Sequence, residues 1–138
     1  MMNKLILSAL IIFSAISIGK VEAQESKKNN YVVSTVQVKQ INPILLTATA
    51  LADEDGEVFG NFDLIIYGET VKELTDKSKM TTMMQQANQT KMILKVCKIA
   101  MDHYGVSVED IPQEFQPVEN AFTELLQLQR SGYFSIEL

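Results

Sequence analysis

The chain carries one cysteine, Cys97, and one histidine, His103, and both fall in the stretch LKVCKIAMDHYGV. A single cysteine forms no internal disulfide, so its role is packing or chemistry. Cys97 ends an apolar run and precedes a segment with helical spacing. The partial positive charge of a helix start, with Lys98 beside it and Lys95 just behind, favours a thiolate, which is the nucleophilic form of the side chain. The alternative is equally physical: a free cysteine is among the most buried residue types and packs as a small hydrophobe. His103, six residues on, could assist proton transfer only if a short helix folded back; otherwise it is a solvated helix histidine.

Other chemistries find less support. Without a second histidine, a zinc site would need carboxylates at unsuitable spacing. DEDGEVFGNFD, from Asp53, has the look of a calcium loop but puts Gly56 fourth where the loop needs it sixth, and Leu64 twelfth. Met80, Met83 and Met84 lie at helical spacing, which suits a packed stripe better than a thioether site for Cu(I). Asn88-Gln89-Thr90 matches the glycosylation acceptor pattern. No glycine-rich phosphate loop, serine nucleophile elbow or CxxC pair occurs in the sequence. Neither a metal nor a cofactor is expected.

The elements that must hold these residues follow from the pattern. Residues 1–23 read as a secretory signal: Lys4, then the apolar LILSALIIFSAISI, then Val21-Glu22-Ala23 before a cut. Its fourteen apolar or small residues fall short of the roughly 20 that span a bilayer, although an uncleaved anchor is the competing reading. Export makes a periplasmic or secreted location the expectation, with no stable membrane insertion after cleavage. Residues 24–30, QESKKNN, read as a flexible leader, and residues 31–138 as one domain. Of 12 basic and 17 acidic residues, losing Lys4, Lys20 and Glu22 leaves 10 and 16, a net charge of −6. Such a surface repels nucleic acid.

Along the domain, YVVSTVQV reads as a strand, INPILLTATALA as a helix, FDLIIYG as a buried strand and MILKV as another. Helical spacing recurs from Glu69, through KMTTMMQQANQ, and in KIAMDHYG closed by Gly105. EFQPV is a short strand. ENAFTELLQLQRS forms a helix with Phe122, Leu125 and Leu126 on one face and Gly132 as its cap, and YFSIE is a last strand. This alternation predicts an α/β fold, a three-layer sandwich with a mostly parallel sheet of about five strands. In such sheets ligands bind beyond the carboxyl ends of the strands. Tyr67, Gly68 and Glu69 after one strand, and Cys97 and Lys98 after the next, would share that edge.

The order DLIIYGETVKEL, MILKVCKIAMDHYGV and LQLQRSGYFSI resembles the DsrE/DsrF-like sulfur-relay family, in particular its small exported members, over residues 62–136. The resemblance rests on Cys97 with Gly105-Val106, and on Leu128-Gln129 with Gly132-Tyr133. It implies the same three-layer fold, homo-oligomers of three or six subunits, and a persulfide carried on the cysteine matched by Cys97. The chain departs from many relatives in having Tyr67, not histidine, before Gly68, and Lys98-Ile99 where small polar residues are frequent. The expected function is an exported sulfur carrier or thiol-handling protein, with sulfur donor and acceptor proteins as partners and Tyr67, Gly68, Glu69, Lys98 and His103 near Cys97. The alternative is a non-catalytic binding or assembly module of the same fold, in which the cysteine is structural.

Overall fold

The computed structural model describes residues 27–138; the signal expected at residues 1–23 lies outside them. Five strands and four α-helices alternate: β1 (Asn29–Thr35), α1 (Ile41–Asp55), β2 (Phe59–Ile66), α2 (Lys77–Thr90), β3 (Ile93–Cys97), α3 (Lys98–Tyr104), β4 (Phe115–Val118), α4 (Ala121–Arg130) and β5 (Phe134–Glu137). The sheet has the order β4-β3-β2-β1-β5 and every pairing is parallel. The expected α/β fold is the observed one.

The order dictates the layers. Steps β1 to β2, β2 to β3 and β3 to β4 all move the same way across the sheet, so right-handed crossovers put α1, α2 and α3 on one face. The connection from β4 returns across the full width to β5, which puts α4 on the other face. Burial on both faces explains why β2 reads as a continuous apolar run: Phe62, Leu64, Ile65 and Ile66 are fully buried. Each contributes about 1.5–3 kcal/mol of transfer free energy. On the three-helix side, Ile41, Ile44, Leu45 and Ala48 of α1 and Met80, Met83, Met84 and Ala87 of α2 complete the core. The methionine stripe is packing.

Several expected boundaries move. β1 begins at Asn29 within the expected leader, because Asn29 Nδ2 donates to Asp55 Oδ1 at 3.0 Å and the Asn61 amide donates to Asn30 Oδ1 at 2.8 Å. The turn expected at DEDGEVFGN is divided. Asp53 to Asp55 extend α1, Gly56–Val58 form one 3-10 turn, and Phe59 to Asn61 open β2. The helix expected at Glu69 is a 3-10 segment, Glu69–Thr75, and α2 starts afresh at Lys77, with Asp76 accepting from the Lys79 amide.

The largest correction concerns α4. Its buried residues are Ala121 and Leu125, whereas Phe122 is 56 % and Leu126 63 % exposed. Leu125 therefore faces the sheet, and Phe122 and Leu126, one turn apart, make a separate outer stripe.

Candidate functional site around Cys97

Parallel strands bring the ends of β2 and β3 side by side, with Ile66 paired to Val96. The turns that follow are therefore neighbours, as the sequence implied. Gly68 turns the chain with φ 74°, a conformation that suits glycine, and an added Cβ would stand 3.2 Å from Val36 Cγ1. The 3-10 segment beginning at Glu69 then packs against α3.

Cys97 does not open into a cleft. It is 6 % exposed, so the thiol that the sulfur-carrier reading would need accessible is buried. The cause is α4, whose first residue lies over it: the Ala121 amide donates to Cys97 Sγ at 3.4 Å. Asn120 caps this helix by accepting from the Phe122 amide at 2.9 Å, which fixes where its free N–H groups point. The helix that begins after Cys97, α3, is only seven residues long. Cys97 is the N-cap of α3, the helix start expected from the sequence, but its side chain makes no capping bond there; the amide on its sulfur comes from α4.

Lys98 turns to Asp102, with Nζ to Oδ2 at 2.6 Å, and that hydrogen bond holds its ammonium above its ordinary range. His103 is exposed and meets Tyr104 edge-on, with centroids 4.7 Å apart. It shares no described contact with Cys97. Glu69 pairs with Lys72 at 2.6 Å, and this hydrogen bond draws its carboxyl below the usual range. Glu69 and Lys98 are therefore on the expected edge but engaged with other partners, and His103, near the end of α3, is exposed.

Tyr67 is the expected residue that does reach the cysteine's surroundings. Its ring meets Phe122, the residue after Ala121, and its hydroxyl donates to Glu137 of β5. Burial, then the bond to Glu137, pushes its phenol up to about 12. Tyr67 and Cys97 thus flank the same helix start.

Sequence reasoning missed the group one layer down. Residues two apart on a strand share a face, so Lys95 lies on the α4 side with Cys97. Lys95 Nζ contacts Asp63 Oδ2 of β2 at 2.7 Å and also donates to Glu124 of α4. Burial pushes the Asp63 carboxyl up, a rise only partly offset by Lys95. Burial alone would lower the Lys95 ammonium, but its bonds to Asp63 and Glu124 outweigh that and raise it. The readable signal was an aspartate inside the apolar run FDLII, which is costly unless paired.

Two hollows lie near this edge. One of about 510 Å³ sits at the ends of β1 and β2, lined by Gln37, Lys39, Glu69 and Thr70 among others. Another of about 320 Å³ lies beside the start of α4, lined by Glu119, Asn120, Thr123 and Glu124 among others. Cys97 lines neither. The described residues contain no cluster of three or more metal-ligating side chains, and no described helix is long and apolar enough to cross a membrane.

No protein-family model matches the chain, and no curated protein sequence matches it. Solved structures do. A protein of unknown function from Methanobacterium thermoautotrophicum superposes with a TM-score of 0.66 at 12 % identity, covering 81 % of this chain and 99 % of that one. A conserved protein of unknown function from Bacteroides thetaiotaomicron gives 0.62 at 14 % identity, over 80 % and 95 %. These similarities establish a shared fold.

Proposed function

We propose that the protein is an exported sulfur carrier or thiol-handling protein that holds sulfane sulfur on Cys97. The observation that carries this reading is the Ala121 amide held on Cys97 Sγ at the start of α4. Acting as a thiolate, the nucleophilic form, Cys97 attacks the terminal sulfur of a persulfide or polysulfide donor. A Cys97 S–S bond forms, the donor's S–S bond breaks, and the donor leaves as a thiolate with the bonding pair, so no outside oxidant is needed. The absence of a second cysteine from the sequence means that the persulfide is not lost to an internal disulfide. Tyr67, whose ring meets Phe122 at the start of α4, is the expected residue placed to orient a donor, and Gly68 lets its turn lie close to Val36.

Export rests on the signal-like pattern of residues 1–23. An intact-mass measurement on protein from the native envelope tests it, with cleavage after Ala23 expected and a retained membrane-bound N-terminus contradicting it. Assembly into a symmetric homo-oligomer, with three subunits as first choice and six as the alternative, belongs to the same reading. It is supported by Phe122 and Leu126 on α4 and by Phe134 and Ile136 on the edge strand β5, all more than half exposed. Light scattering at micromolar concentration should find no monomer.

The rival reading, a binding or assembly module with a structural cysteine, draws on the burial of Cys97. A thiol reagent applied to the folded protein separates the two. Labelling well before global unfolding supports the carrier, and labelling only on denaturation supports the module.

A further inference from the structure

The carrier reading requires the sulfur to become reachable, and the Asp63, Lys95 and Glu124 cluster lies beside what covers it. Lys95 bridges a carboxylate of the sheet and a carboxylate of α4. Asp63 is 2 % exposed at its side chain, and its Oδ1 meets no hydrogen-bond partner among the described residues. A buried ion pair is weak evidence of stability, because desolvation offsets most of the attraction; its firmer effect is to specify an arrangement. Here the arrangement is the seating of α4. Ala121 and Leu125 are its buried residues, small anchorage for a ten-residue helix.

The two polar pins lie close together. Glu124 is three residues past Ala121, about 4.5 Å along the helix. Lys95 is two residues before Cys97, about 6.6 Å along the strand. The helix start therefore touches β3 through the amide on the sulfur and, one turn further on, through the ammonium on Glu124.

We propose that Asp63, Lys95 and Glu124 form a latch that sets how often the start of α4 lifts from Cys97, making Lys95 a positioning residue for chemistry at that sulfur. Asp63 holds the ammonium in place from the sheet side. Glu124 is the part that releases, since it is the most exposed of the three at 23 %. The latch deepens the carrier reading and rests on it only for its purpose; its test reads access to the sulfur, not sulfur loading.

The experiment compares native-state thiol labelling of Cys97, and hydrogen exchange at the Ala121 amide, in wild type, Glu124→Gln, Lys95→Met and Lys95→Arg. Each rate is measured over low denaturant concentrations to separate local opening from global unfolding. Losing a charged hydrogen bond should speed both readouts roughly tenfold or more in Glu124→Gln and Lys95→Met. The gain should be insensitive to denaturant, and Lys95→Arg should return both rates close to wild type. A general packing role would instead accelerate labelling only in step with lost global stability. That outcome, unchanged rates in Glu124→Gln, or failure of Lys95→Arg to rescue, overturns the latch. Glu124→Gln alters only a partly exposed partner and decides the matter alone if Lys95→Met does not fold. Should the latch variants behave as expected while polysulfide adds nothing to Cys97, the carrier reading fails and the latch stands.

Discussion

The ring of Phe122 stands edge-on to the ring of Tyr67, centroids 5.3 Å apart and planes at 71°. This contact ties the turn after β2 to the helix that covers Cys97. Edge-to-face aromatic pairs contribute about 0.5–1.5 kcal/mol beyond area burial. Phe122→Ala should therefore lower unfolding free energy by about 1 kcal/mol, measured by denaturant titration, and should speed native labelling of Cys97. Unchanged labelling would separate the aromatic contact from the cover.

Tyr67 gives a pH test. Burial and the bond to Glu137 raise its phenol from 10.0 to about 12. Because the folded value lies above the unfolded one, its contribution to stability is fully present below about 10 and is lost as pH rises through about 12. A phenolate absorbance titration of the folded protein should show a tyrosine that ionises late, and Tyr67→Phe should remove that step.

Asp63 gives a second test, in the acid range. Burial raises its carboxyl above the ordinary value, with Lys95 opposing the rise. The sign follows as for Tyr67: the group's contribution is fully present below the unfolded carboxyl range and fades as pH rises through the folded value. The stability difference between wild type and Asp63→Asn should therefore fall with rising pH across that interval. A difference that grows with pH would place the dominant effect on the Lys95 pair.

Gly68 links backbone to site. With φ 74° and Val36 Cγ1 at 3.2 Å from an added Cβ, Gly68→Ala combines backbone strain with a tight contact. It should cost about 1–3 kcal/mol, read as a lower denaturation midpoint. A neutral substitution would show that the turn relaxes freely.

The fold was legible because its signals are local and redundant. The apolar runs of β2 and β3, the β-branched run of β1 and the glycine at position 105 each mark an element on their own, and their alternation leaves a parallel sheet as the economical arrangement. Tyr67, Gly68, Glu69, Cys97 and Lys98 were placed on one edge for the same reason, since parallel strands put successive turns together. The cover over Cys97 was not legible. It depends on α4 returning across the whole sheet from β4, a contact 24 residues from the cysteine. Periodicity grouped Phe122, Leu125 and Leu126 as one stripe, but only the packed arrangement decides that Leu125 faces in while the other two face out. Lys98 looked like the cation beside the thiol, yet Asp102, one helical turn on, takes its charge. The cation on the α4 side with Cys97 is Lys95, two residues back on the same face of the strand.

Sulfur transfer to Cys97, as proposed, has a direct test. Folded protein is exposed to inorganic polysulfide and weighed intact, beside Cys97→Ser as control. The wild type should gain one sulfur atom, reversed by a thiol reductant, and Cys97→Ser should gain none. A wild type that gains nothing, with its thiol unlabelled until denaturation, would mark Cys97 as a core residue and rule out the sulfur carrier.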